Sequence, residues 1–211
     1  MDEHYVLIAP LNVLDGIAPI EQIVPTKSRA TDPPLRASDQ VATDFLLLVQ
    51  LGLGDAHDPL MLQIIQAIDA ELKTGTPNSP VWRRYNGDGC GDHEDGSAFG
   101  GSGIGRGWTL LAGERRHYAL VAGRNPFPRL LTMTKLTGHG GLLPKQVWDR
   151  APIPARSLAP GQPSGSAMPL VWAHSKFVKR VASRALGRPF DGPDCVWQRY
   201  QSQRPKPKDA I

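Results

Sequence analysis

Amphipathic segments with helical periodicity, separated by long loops rich in glycine and proline, constrain the fold of this chain more than any other feature. The 211 residues include 22 glycines and 20 prolines, which cluster between the periodic segments. Paired helices joined by long loops are typical of a toroid, in which the pairs stack around a centre and the loops at one end build a site. No internal repeat is visible, which argues against a solenoid. The pattern therefore predicts the all-α class.

Five helices are predicted. The first begins at Ser38 or Asp39 and ends at about Leu51, and the second begins at Pro59, where the missing N–H costs no hydrogen bond, and ends near Gly75. Three more are predicted over residues 108–122, 126–136 and 167–186, and the last takes as its apolar positions Leu170, Trp172, Phe177, Val178 and Val181.

The helical domain is predicted over residues 38–201, and the segments before and after it in the chain are not predicted to be helical. Residues 1–37 contain short apolar runs broken by prolines, which predict extended segments and loops with room for one small hairpin. Residues 202–211 are basic and polar, which predicts a disordered tail.

The charge and cysteine content narrow the choice of partners. The net charge of +4 comes from scattered basic residues, without the aromatic-interleaved stripe that favours nucleic-acid binding, so we predict no nucleic-acid partner. Cys90 and Cys195 match neither metal nor redox spacing, which leaves two reduced thiols or one disulfide open. We predict no metal and no cofactor.

The hydropathy of the chain indicates whether it contains a membrane span or a signal peptide for export. No apolar run reaches the roughly 18 residues of a membrane span, and the N-terminus lacks the basic start of a signal peptide. We therefore predict no membrane contact and a cytoplasmic location, while a longer parent protein can carry a signal of its own.

The glycine- and acid-rich loop over residues 82–95 is a candidate ligand site. Arg84 and Asp88 lie four residues apart and offer a fork of donors beside a charged acceptor, a pair suited to vicinal hydroxyls. Two alternatives remain. A calcium loop is one, although its fifth position is Cys90 and its twelfth is Ser97, where a bidentate glutamate is needed. A purely structural loop with solvated acids is the other.

Aromatic residues near two helix starts are candidates for a sugar platform. Trp108 follows glycines and opens a predicted helix, and Trp172 lies early in the last one, where its ring can wall a pocket. The alternative for Trp108 is a place in the core. For His174 we favour a satisfied structural role, and for Glu114 a solvated position or an ion pair with an arginine.

Four segments in a fixed order carry most of these residues: Arg84–Asp92, Gly103–Tyr118, Pro144–Asp149 and Gly165–His174. They resemble the bacterial glucoamylases and glucodextranases of glycoside hydrolase family 15. That family carries Arg-Tyr-Asn-x-Asp-Gly-Tyr-Gly-Glu, Gly-x-Gly-Arg-x-Trp-Pro-Leu-Leu-x-Gly-Glu-Arg-x-x-Tyr, Pro-Glu-Gln-x-Trp-Asp and Gly-Ser-Ala-x-Pro-Leu-x-Trp-Ala-His. Four ordered motifs are far more specific than one.

The resemblance implies part of an (α/α)6 toroid whose enzymes release glucose by inversion from the non-reducing ends of α-glucans. It implies that Arg84 and Asp88 hydrogen-bond the terminal glucose of an α-glucan or maltooligosaccharide, and that Trp108 and Trp172 line its pocket. Position 145 corresponds to the catalytic base. Because the family's general acid lies upstream, the resemblance covers the C-terminal part of the catalytic domain. It implies a complementary N-terminal polypeptide or, through exposed helix faces, self-association.

This chain departs from the family at the base. Lys145 stands where the family has glutamate, and a protonated lysine cannot accept a proton from water. At ~6 Å and an effective dielectric of about 20, exchanging attraction for repulsion of the cationic transition state costs roughly 5 kcal/mol. Three neighbouring positions also differ, since Cys90 replaces tyrosine, Asp92 replaces glutamate and Thr109 replaces proline. Lys176 occupies a position where acidic residues are common.

Three functional hypotheses follow. The chain is a glucan 1,4-α-glucosidase-like hydrolase that depends on an upstream polypeptide for its acid, or an inactive remnant that binds α-glucan weakly through Arg84, Asp88, Trp108 and Trp172. A basic interaction module is the third and is supported only by the charge.

Overall fold

The computed structural model describes residues 20–24, 35–124 and 132–201. Its helices are α1 (Leu46–Gln50), α2 (Pro59–Glu71), α3 (Thr109–Val121), α4 (Val171–Leu186) and α5 (Asp194–Tyr200). Helix α3 is central, because it packs against both α1 and α4 and nearly all of its residues are buried. This arrangement confirms the predicted helix-rich fold.

Six strands of two residues each lie among the described residues. Two of them form an antiparallel pair within residues 1–37, where a small hairpin was predicted, and the other four were not predicted. The six strands are β1 (Ile23–Val24), β2 (Leu35–Arg36), β3 (Lys73–Thr74), β4 (Val81–Trp82), β5 (Gly107–Trp108) and β6 (Gln146–Val147). The first two pair antiparallel, and the other four form one antiparallel sheet in chain order. In that sheet Trp108 pairs with Gln146, so the start of α3 lies beside the segment that contains Lys145.

Helix α2 forms as its sequence predicts. The side chain of Asp58 accepts hydrogen bonds from the backbone N–H groups of Leu60 and Met61, which caps the helix while Pro59 takes its first position. The residues that α2 buries are spaced at three and four along the chain and form one side of the hydrophobic core: Met61, Ile64, Ile65 and Ile68.

Helix α1 is shorter than predicted, and the reason is a tertiary contact. The N–H of Val41 donates to Oδ1 of Asn86 at 2.9 Å, and the N–H of Thr43 donates to the carbonyl of Arg84 at 3.1 Å. These bonds hold residues 40–42 extended against the glycine-rich loop. The prediction of a helix from Ser38 is therefore wrong, and two 3₁₀ turns precede Leu46.

Helix α4 buries a polar face and exposes an apolar one. Its buried residues are Ala173, Lys176, Arg180 and Ser183. The prediction that three of its apolar residues face the core is wrong, since the exposed side chains include Trp172, Val178 and Val181. The helix begins at Val171 rather than 167 because the preceding segment bonds to another loop, with the N–H of Leu170 donating to the carbonyl of Leu143 at 2.9 Å.

Of the remaining secondary-structure predictions, one is confirmed and the others lie largely outside the described residues. The helix predicted over 108–122 is present as α3. The helix predicted over 126–136 lies largely outside the described residues, within which 132–134 are helical. Most of the N-terminal segment and the tail at 202–211 also lie outside them. Among the described helices, none has the length and apolarity that a membrane crossing requires.

Candidate functional site

The two glycine-rich loops that contain Asp88 and Gly105 pack closely against each other at the site. A Cβ atom on Gly103 would lie 1.9 Å from the carbonyl oxygen of Gly91, and one on Gly105 would lie 2.4 Å from Cγ of Asp88. Side chains at these two positions would force the loops apart. A Cβ atom on Gly91 would likewise lie 2.2 Å from the carbonyl oxygen of Ile104.

Arg84 and Asp88 form a bidentate ion pair at the centre of the first loop. Nε of Arg84 donates to Oδ2 of Asp88 at 2.9 Å and Nη2 donates to Oδ1 at 2.6 Å. The Asp88 side chain is fully buried, whereas a third of the Arg84 side chain is exposed. Hydrogen bonding to Asp88 raises the pKa of Arg84 above its ordinary value. Because Asp88 is buried against an arginine, neither a calcium loop nor a loop with a solvated acid at this position fits.

The Trp108 indole lies beside two cationic groups. Cζ of Arg84 lies 5.0 Å from the ring centroid, and Nζ of Lys145 also lies 5.0 Å from it. Both distances are within the range of cation–π attraction. Trp108 is buried and packs in the hydrophobic core, as the alternative for this residue predicted. Its Nε1 has no hydrogen-bond partner among the described residues.

Lys145 reaches from its own loop into the Arg84 loop. Its N–H donates to the carbonyl of Ala167 at 2.8 Å, and its Nζ donates to Sγ of Cys90 at 3.2 Å. The structure thus brings together the four predicted residues Arg84, Asp88, Trp108 and Lys145. Both cysteines are free thiols, so the disulfide alternative does not apply to this structure.

Trp172 lies at the start of α4, and 60% of its surface is exposed. Among the described residues, no hydrogen bond or ring contact joins it to the other four. Its helix is nevertheless tied to the Lys145 loop, because Nε2 of His174 accepts the N–H of Leu143 at 2.9 Å. His174 therefore has the structural role that was predicted, and the lining role of Trp172 stays a prediction.

Buried polar residues that were not singled out from the sequence hold these loops in place. Nη2 of Arg106 donates to the carbonyls of Asp92 and His93 at 3.0 and 2.7 Å, and its Nη1 lies 3.4 Å from Oδ1 of Asp149. Nε2 of Gln146 donates to the carbonyl of Cys90 at 2.8 Å. Arg106, Gln146 and Asp149 all fall inside the quoted motifs, so the motifs specify the loop architecture as well as the site.

A second polar cluster lies between α3 and α4. Burial raises the pKa of Glu114 and lowers that of Lys176 to about 8. Lys176 also donates to the side chain of Gln50. The predicted arginine partner of Glu114 is wrong, since the charge that favours its ionised form is Lys176 and the neighbouring Arg115 pairs with Asp69. Within the ranges that the structure describes, no group of three or more histidine, cysteine or acidic side chains is arranged to hold a metal ion.

The comparisons with known proteins agree with this geometry. The sequence matches no family model. It is 38% identical over 160 residues to a glucoamylase from Clostridium sp. (strain G0005), a match that spans 76% of this chain and 22% of the relative. The fold superposes on a crystal structure of a bacterial glucoamylase complexed with acarbose with a TM-score of 0.79 and 32% identity, over 94% of this chain and 29% of that one. A more distant structure, a wild-type glycosidase, has a TM-score of 0.50 at 20% identity and shows the fold alone.

The fold and the loop cluster define this class of protein: it is part of an (α/α)6 toroid of the glycosidase type. The chain belongs to the glucoamylase-like proteins of glycoside hydrolase family 15 and corresponds to their C-terminal part. It spans about a fifth of the length of the curated relative and under a third of the relative of known structure.

Proposed function

We propose that this chain provides the sugar-binding side of a glucoamylase-like site. In this proposal it binds the non-reducing end of an α-glucan or maltooligosaccharide at Arg84, Asp88 and Trp108, with Trp172 as a further wall. The observation that carries the proposal is that the Arg84–Asp88 pair, Trp108 and Lys145, which lie in three separate segments, come together in one cluster. The similarity to a glucoamylase that was solved with acarbose adds support.

The chemistry of the cluster suits a neutral sugar. The buried carboxylate of Asp88 accepts two hydrogen bonds from Arg84 and fixes the orientation of the guanidinium. Arg84 is partly exposed and offers further donors. Because a pyranose has an apolar face, the Trp108 indole adds apolar contact to this polar pair.

The same cluster argues against hydrolysis by this chain alone. Inverting glycosidases need one carboxylic acid to protonate the leaving oxygen and one carboxylate to activate water. At the position of that carboxylate the chain has Lys145, whose Nζ donates to Cys90. A donor at this position cannot take a proton from water, and its charge opposes a cationic transition state. Inverting exo-hydrolysis would therefore belong to a longer or assembled protein, and only with another base.

The apolar face of α4 suggests what completes the toroid. Val171, Trp172 and Val178 are each more than half exposed on this helix, and such a face is normally covered. We propose that its occupant is a polypeptide that supplies the other helices of the toroid, because the relatives are several times longer than this chain. Association of two copies of this chain is the alternative outcome. Sedimentation of the chain alone and with the N-terminal half of a family relative distinguishes the two.

Titration with maltose and with acarbose, followed by calorimetry and by amide chemical shifts, tests the binding. We expect saturable binding that is weakened by Trp108→Ala and by Arg84→Gln. Arg36→Gln is a matched control, since Arg36 forms an exposed ion pair with Asp39. A parallel assay of glucose release from maltose should detect none from the unmodified chain. Binding that survives both site variants would refute the proposed location.

A further inference from the structure

The contact between Cys90 and Lys145 places a nucleophilic thiol against a primary amine. Sγ and Nζ are 3.2 Å apart. Both residues are only partly buried, so a small oxidant can reach them. This pair is a feature of the present chain, because the resemblance places tyrosine and glutamate at these two positions.

The backbones on both sides of the contact are fixed. The N–H of Cys90 donates to Oδ1 of Asp88 at 3.0 Å, and its carbonyl accepts Nε2 of Gln146 at 2.8 Å. Gln146 follows Lys145 directly in the chain, so one side chain holds the two segments together. Groups that are held at contact distance react with a high effective concentration, because little motion remains to be lost.

We propose that Cys90 and Lys145 form a covalent sulfur–nitrogen link when the protein meets a hydroperoxide. The thiolate attacks one peroxide oxygen, an S–O bond forms, the O–O bond breaks, and water leaves after protonation, which yields a sulfenic acid. The neutral amine of Lys145 then attacks the sulfur, an S–N bond forms, the S–O bond breaks, and a second water leaves. One thiol, one amine and one hydrogen peroxide give one sulfenamide and two waters, and the peroxide accepts two electrons. Sulfenic acids condense with backbone nitrogens to give sulfenamides, and the Lys145 amine is a stronger nucleophile than an amide nitrogen.

The link has a consequence that rests on the proposed function. It removes the positive charge of Lys145 and fixes the lysine side chain beside the Trp108 ring. A ring that is covered in this way offers less surface to a sugar. The oxidised chain should therefore bind maltose more weakly than the reduced chain, and a thiol reductant should restore binding.

Mass spectrometry of the whole chain tests the link without any assumption about sugars. After treatment with hydrogen peroxide at a small molar excess, we expect the intact mass to fall by two hydrogens. Digestion with a protease that does not cut at lysine should give one peptide pair joined through residues 90 and 145. Dithiothreitol should separate the pair.

Two variants make the test specific. Lys145→Arg keeps the positive charge but removes the nucleophilic amine, so Cys90 should accumulate as a sulfenic acid that dimedone traps. Cys195→Ser should leave the joined peptide unchanged. Cys195 is exposed, and in the unmodified chain it should oxidise without joining a lysine peptide. The proposal is overturned if Cys90 in the unmodified chain gives only sulfenic or higher acids, or stays reduced while Cys195 is oxidised. If the joined peptide forms but maltose affinity is unchanged, the link stands and the predicted effect on the sugar site falls.

Discussion

Replacing Asp88 with asparagine is the sharpest test of how the site is held together. The substitution keeps the size of the side chain and removes its charge. In the folded chain Asp88 accepts two hydrogen bonds from Arg84 and one from the N–H of Cys90. An asparagine oxygen can serve only part of this set, and its amide group would turn donors toward the donors of Arg84.

The expected loss of stability follows from these contacts. A hydrogen bond to a charged group contributes about 1.5–3 kcal/mol, and removal of one partner from a fully buried pair costs about 3–5 kcal/mol. Because a third of the Arg84 side chain is exposed, water compensates part of this loss, and we expect about 2 kcal/mol. Maltose affinity should fall roughly tenfold, since the exposed part of Arg84 would lose the buried carboxylate that holds it in place.

Urea unfolding followed by tryptophan fluorescence measures the first effect, and calorimetry measures the second. The matched control is Asp39→Asn, which removes a carboxylate from an exposed ion pair and should change stability by less than about 0.5 kcal/mol. An Asp88→Asn chain as stable as the original would refute the inference that the buried pair organises the loop. A stable fold with unchanged maltose affinity would refute the role of Asp88 in binding alone.

Three further predictions address the pH response, the loop packing and the exposed face. Burial lowers the pKa of His117 to about 3, so the unfolded chain takes up a proton first, and stability should fall between about pH 6.5 and 3 by at most about 1.4 kcal/mol per pH unit. Urea unfolding at several pH values checks this, with the slope reduced in His117→Gln. Gly103→Ala should cost about 1–3 kcal/mol in the same assay, while Gly100→Ala, where a Cβ meets nothing, should not. Val178→Asp should abolish any concentration-dependent association in sedimentation and leave maltose binding intact.

Caps, prolines and apolar spacing within one segment predicted the helix whose contacts do not depend on distant loops, which is α2. Helix α2 formed as expected because its cap, its initial proline and its apolar spacing all lie within one segment. Helix α1 was predicted too long because the backbone at residues 40–42 bonds to the loop at 84–86 instead, a contact that no local pattern reveals. Strands β3 to β6 were missed for a related reason, since two residues are too short to display an alternating pattern.

The sequence predicted which residues belong to the site, but it did not predict all of the contacts between them. The ordered motifs singled out Arg84, Asp88, Trp108 and Lys145, and the structure brings these four together. The contact between Lys145 and Cys90 was not predicted, because it joins two positions at which the chain departs from the motifs. The polar buried face of α4 was missed because periodicity indicates that a helix is amphipathic but not what covers each side.

We propose above that the cluster of Arg84, Asp88, Trp108 and Lys145 binds the non-reducing end of an α-glucan. Titration of the reduced, unmodified chain with acarbose, monitored by amide chemical shifts, tests it most directly. We expect saturable chemical-shift changes centred on residues 84–92 and 145–148. These changes should be absent from a folded Trp108→Ala variant. A folded chain whose spectrum does not change at any acarbose concentration, or changes only at residues remote from these loops, would contradict it.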